Sequence, residues 1–183
     1  MSVFSNPASS TPTETAAYVA ALLQLLGNND PVTILRDTPV ALQRFLETVP
    51  MEIVTTPEAP DKWSIRDVIQ HLADSELVGG FRLRMIVAHD RPALAGYDQD
   101  LWASRLRYCD VSVTDALEQF TALRRPNLRI WQRLSRTDLA RVGLHSERGE
   151  ESLEHLRQLY AGHDLLHLRQ LERIRATLRP AGV

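Results

Sequence analysis

The stretch Tyr160-Ala161-Gly162-His163-Asp164-Leu165-Leu166-His167-Leu168 decides how the rest of the chain reads. It lies in a run of helical apolar spacing from about Ser152 to Leu178 that Pro180 stops. His163 and His167 are four apart, so both imidazoles lie on one helix face about one turn from each other. Leu159, Leu166 and Ile174 mark the apolar stripe nearby, and Gln170 continues the histidine face. Gly162 carries no side chain and so admits a close neighbour. Two histidines at this spacing are most often polar surface. Here they sit at or near a buried stripe, where neutral imidazole needs a hydrogen-bond partner or a metal.

Working outward, the chain reads as helices joined by loops. A first helix is expected from about Thr13 to Leu26, stopped by Gly27-Asn28-Asn29-Asp30-Pro31. A second covers about Val32 to Val49. Pro39 lies inside it, so a late start is expected, with Thr38 as cap and Pro39 at the first helical position. Pro50 to Asp61 holds three prolines and reads as a long loop. Ser64 caps a long helix from Ile65 to about His89, with Asp67 completing an acidic capping box. Gly79-Gly80 falls mid-helix, where it costs stability unless it permits close packing. A loop to Tyr97 leads into a short helix, Gln99 to Leu106, and then a long one, Thr114 to Leu134, kinked at Pro126. Asp138 to Glu151 reads as irregular, and β-branched patches are limited to Val32–Leu35 and Val111–Val113. These elements predict an all-α protein, a four-helix bundle with an additional N-terminal helix. Met1 to Thr13 reads as a flexible tail, and residues 14–183 as a single domain.

Bundles build metal sites from side chains on facing helices. His71, in Val68-Ile69-Gln70-His71-Leu72-Ala73-Asp74, is the best third ligand for His163 and His167, although alone it would read as a satisfied core histidine. Three protein ligands leave a position open for water or substrate, the mark of a catalytic zinc-type site. Asp74 lies three residues after His71 and is a candidate proton shuttle or imidazole-orienting group. A surface carboxylate paired with arginine is the equal alternative. His145, in the irregular segment, either reaches the site mouth or is plain loop. Gln170 is placed to hydrogen-bond near the site. His89 and His155 receive no role.

The 183 residues suffice for one sizeable core. With 44% hydrophobic and 24% charged residues and a net charge of −2, nothing attracts the whole chain to nucleic acid or anionic lipid. Arg124, Arg125, Arg129 and Arg133 cluster on one helix and read as a solvated face or dimer seam. One cysteine, Cys109, excludes an internal disulfide, and no run approaches the roughly 20 apolar residues of a membrane span. A cytoplasmic protein is expected, with neither nucleic acid nor membrane as partner.

Four patches in order resemble the DinB-like superfamily, and within it the YfiT-type branch of bacillithiol transferases and metal-dependent hydrolases. They are Lys62-Trp63-Ser64-Ile65-Arg66 with His71-Leu72-Ala73-Asp74-Ser75-Glu76; Gly96-Tyr97-Asp98-Gln99-Asp100-Leu101-Trp102; Gly143-Leu144-His145-Ser146-Glu147-Arg148-Gly149; and the histidine motif quoted above. Ser146 stands where the family usually has proline. The resemblance implies a His71, His163, His167 triad holding one divalent metal ion, a homodimer, and Tyr97 and Asp98 at the entrance. It also implies thiol transfer from a low-molecular-weight thiol to a small-molecule electrophile, with hydrolysis as the variant and a non-catalytic metal-binding stress-response protein as the alternative. Imidazole suits zinc and nickel alike, with zinc the default on availability.

Overall fold

The computed structural model describes residues 11–178. Helix α1 spans Pro12–Leu26, with Thr11 and Glu14 forming a capping box. Its start cuts into the expected tail, whose residues 1–10 lie outside the described residues. Helix α2 spans Pro31–Glu47 and is capped by Asp30, which accepts from the Thr33 backbone N–H. It does not start late: Pro39 sits in its interior. Proline has no N–H, so the Leu35 carbonyl one turn back loses its helical donor. The Arg124 guanidinium donates to that carbonyl instead, at 2.7 Å. A distant side chain thus repairs the break that sequence reading placed at Pro39.

The expected loop after α2 contains a short helix, α3, Met51–Thr55, which buries Val54. Helix α4, Ile65–Ala88, begins at the Ser64/Asp67 capping box as expected. Gly79 and Gly80 admit neighbours: a Cβ would lie 2.4 Å from the Tyr160 ring at Gly79 and 2.4 Å from the Asn127 amide at Gly80. Next come strand β1 (Ala93–Leu94), helix α5 (Gln99–Arg105), a 3-10 turn (Tyr108–Asp110) and helix α6 (Val113–Trp131), with Pro126 inside it. Helix α7 is Arg136–Leu139, strands β2 and β3 are Val142–His145 and Gly149–Ser152, and helix α8 is Leu153–Leu178. The segment read as irregular therefore forms a hairpin. Gly149 takes a positive φ of 74° where the turn closes, and β1 pairs with β2 in parallel. Among the described residues no helix is long and apolar enough to cross a membrane.

Helices α2, α4, α6 and α8 form the four-helix bundle. Each of α2 and α4 is flanked by α6 and α8, so these two successive long helices occupy opposite corners. One apolar cluster gathers Leu42, Ile65, Ile69, Phe120 and Leu171; a second gathers Leu35, Leu83, Ile86, Trp131 and Leu156. Helix α1 packs outside on α8, with Leu22 against Leu159 and Leu166. Gly162 makes this possible, since a Cβ there would lie 2.4 Å from the Leu22 carbonyl oxygen.

Arg124 corrects the reading of an arginine face. Its side chain is buried, and it donates to Asp164 on α8 at 2.6 and 3.1 Å. It also pairs with Glu76 on α4 at 2.9 Å. Counting the Leu35 carbonyl, one guanidinium on α6 ties together all four bundle helices. Asn127 adds a hydrogen bond to Glu76 at 2.7 Å. Burial raises the Glu76 carboxyl, and Arg124 pulls it back toward ionisation. Replacing Arg124 with Met should strand two buried carboxylates and cost about 3–5 kcal/mol. Urea denaturation will show this; an unchanged midpoint would refute the central role of the guanidinium.

Candidate metal centre

Helix α4 presents His71, and helix α8 presents His163 and His167. The Nε2 atom of His163 lies 3.1 Å from Nε2 of His71 and 3.0 Å from Nε2 of His167. The three rings meet edge to face, with centroids 4.3 to 5.1 Å apart. His71 and His167 are buried and His163 partly so. Trp63, from the loop before α4, lies 4.9 Å from the His71 ring and covers it.

Protonation favours ligation. Burial pushes His71 and His163 well below the ordinary imidazole range and His167 down to about 4. All three are therefore neutral near pH 7, the form that binds metals. His167 Nδ1 is 2.7 Å from the Gln170 side-chain oxygen. That oxygen accepts, so Nδ1 carries the proton and Nε2 keeps its lone pair facing the other rings. His163 Nε2 faces two neighbours, and a single N–H there points at only one of them. His71 Nδ1 is buried with no partner among the described residues. Two nitrogens each about 2.0–2.1 Å from one ion, at angles of about 90–109°, lie about 2.8–3.4 Å apart. The spacings from His163 to His71 and to His167 suit a shared divalent ion, as does the all-imidazole donor set, and the three candidate ligand atoms all lie within 4.8 Å of one another.

The triad stands between two openings. His163 lines a cavity of about 80 Å³ together with Tyr18, Arg82, Tyr97, His145 and Tyr160. His167 and Gln170 line a larger groove on the other side with Trp63, Tyr108 and Arg173. Of the residues expected near the substrate, Tyr97 and His145 are thus in the cavity wall. Gln170 holds an imidazole. Asp98 caps α5, accepting from the backbone of Asp100 and Leu101 at 3.0 and 2.9 Å. Asp74 is no surface carboxylate. It is buried and accepts from Tyr108 at 2.5 Å, Gln70 at 3.3 Å and Gln119 at 3.4 Å, with no hydrogen bond to an imidazole. Asp164 turns away from the triad to Arg124, as its place beside His163 implies.

Sequence reasoning passed over Tyr18, Arg82 and Tyr160. A signal existed for two of them. Positions 71, 75 and 82 share one face of α4 by helical spacing, and Tyr160 precedes His163 by three. Tyr18 gave none, because nothing local says where α1 docks.

The family model of the DinB superfamily matches residues 34–171. The chain belongs to the DinB superfamily. Within it, a protein of Oceanobacillus iheyensis named "Putative metal-dependent hydrolase" is 29% identical over 140 residues, covering 76% of this chain and 81% of the relative. A Bacillus mycoides protein of the same name is 25% identical over 144 residues, covering 79% and 83%. YfiT from Bacillus subtilis, described as "a probable metal-dependent hydrolase with an unusual four-helix bundle topology", superposes with a TM-score of 0.71 at 22% identity. That match covers 78% of this chain and 84% of YfiT, and it establishes the shared fold. Helix α1 lies outside the part matched to the DinB superfamily.

His167→Ala should lose most bound metal by elemental analysis, and His89→Ala should lose none; equal retention would refute the triad. Acidification gives a second check. The folded imidazoles resist protonation, so below about pH 6.5 the unfolded chain takes up more protons than the folded one. Metal-free protein should lose thermal stability as pH falls from about 6.5 toward 4, by up to about 1.4 kcal/mol per pH unit for each such histidine. A flat melting temperature over that range would count against the buried neutral triad.

Proposed function

We propose that this protein is a metal-dependent enzyme acting on a small molecule, with hydrolysis as its reaction. The convergence of three imidazole Nε2 atoms carries the reading, and the names of its relatives support it. Three neutral ligands would leave a bound divalent ion its full charge, which would lower the pKa of a coordinated water to roughly 7. Zinc is the ion proposed, with nickel second.

The chain's own residues supply the rest. Gln170 fixes the His167 tautomer, and Trp63 shields the His71 ring from water. Tyr97 and His145 contact the substrate in the cavity. Asp74 acts from one turn beyond His71 by holding the Tyr108 hydroxyl, whose ring lines the groove beside His167. In that role it is a positioning residue.

Thiol transfer is the second reading. The same charge would deprotonate a thiol bound to it, and the cavity beside His163 has room for a small molecule. Zinc-loaded protein should be assayed against ester and amide panels and, separately, for conjugation of small thiols to monochlorobimane. Hydrolysis lost in His71→Ala supports the first reading, and conjugation lost in that variant supports the second. Activity that survives complete metal removal would sink both. Asp74→Asn should keep its metal and lower kcat about 10-fold or more with KM little changed, a pattern that loss of fold would not give.

A further inference from the structure

Arg82, on α4, is buried at 6% exposure, and its guanidinium lines the cavity beside His163. It donates to the Ala95 carbonyl at 2.6 Å and hydrogen-bonds the Tyr160 hydroxyl, and its Nε finds no partner. Among the described residues no carboxylate pairs with it. The second arginine in the wall, Arg148, is already satisfied by Glu151 in a two-pronged pair at 2.5 and 2.8 Å. Glu147 also lines the cavity and its charge acts on Arg148, yet it comes within ion-pair distance of neither arginine. An isolated cation removed from water is costly unless something of opposite charge reaches it.

The rest of the wall is rich in donors. His145 is buried at 3% exposure, and its Nδ1 accepts from the Glu147 backbone N–H at 3.2 Å. The ring proton must then sit on Nε2, which is buried and unpartnered. Tyr18, Tyr97 and Tyr160 add hydroxyls from three different elements. One guanidinium with no carboxylate in contact can take a negatively charged group directly, and the donors around it suit oxygen acceptors.

We propose that this cavity binds the carboxylate of a small organic acid, with Arg82 as the countercharge and His145 as a flanking donor, alongside the edge of the triad formed by His163. This assigns a substrate class to the proposed enzyme and rests on that reading for its catalytic meaning; the binding itself requires only the cavity. Helix α1 then contributes to selectivity, since Tyr18 closes the wall from outside the part matched to the family.

Isothermal titration calorimetry with succinate and its uncharged counterpart succinamide tests the proposal, using zinc-loaded protein and chelator-stripped protein side by side. Wild type should prefer succinate by about 10-fold or more, as a charge-assisted contact provides. Arg82→Gln should abolish the preference, and Arg82→Lys should retain most of it. The preference should survive metal removal. If it vanishes with the metal, the carboxylate was binding the ion and the Arg82 proposal falls while the metal reading stands. If it persists in a protein that never holds metal, the metal reading falls and the Arg82 site stands. No preference in wild type overturns the proposal even if Arg82→Gln fails to fold, as does an unchanged preference in folded Arg82→Gln.

Discussion

One buried guanidinium organises this molecule. Arg124 faces Glu76 on α4, Asp164 on α8 and the Leu35 carbonyl on α2, so its own helix, α6, is bound to all three others. Burying an ion pair is seldom a net gain in stability, because desolvation offsets much of the attraction. What it provides here is register. Asp164 is the neighbour of His163, and Glu76 follows His71 by five residues, so the contacts that fix the two carboxylates also fix where the two histidine-bearing helices stand along each other. A slip of one turn, about 5.4 Å, would part the imidazoles and break the arginine's pairs together.

The break in α2 belongs to the same constraint. A proline inside a helix ordinarily costs about 3 kcal/mol, partly through an orphaned carbonyl. In this bundle the orphan is a receptor for Arg124. Pro39 and Arg124 therefore work as a pair, and the helix that sequence rules would start at Pro39 begins at Pro31. The double glycine of α4 plays a comparable part, since it lets Tyr160 and Asn127 into space that any side chain would occupy.

Around the triad the polar groups divide by task. Gln170 holds the His167 imidazole, and Asp74, Tyr108, Gln70 and Gln119 form a separate, largely buried network one turn away. The cavity wall is different in kind, because Arg82 and His145 retain unspent donors. In the network only the Gln70 side-chain oxygen is left over, an acceptor, whereas the atoms left over in the wall are donors, the kind a ligand's oxygen atoms can take up.

By itself the sequence determined the helical architecture, the cap at Ser64 and the candidate histidines of α8, because periodicity, capping chemistry and an i,i+4 spacing are local properties of the chain. His71 could be joined to the pair from the ordered motifs and from the rule that bundles place ligands on facing helices. The tertiary structure alone decided the rest. Arg124 looked like one of four surface arginines, since helical spacing does not say which side of α6 meets the core. The hairpin at His145 was hidden because four-residue strands containing glycine and glutamate carry no period long enough to read. Asp74 became a buried acceptor because Tyr108 and Gln119 reach it from elements far apart in sequence, whereas Asp98 caps α5 through the backbone two and three residues on, a local role that the reading of it as an entrance residue passed over. Arg82 emerged last, for the same reason: a charge is known to lack a partner only once every neighbour that could have supplied one is in place.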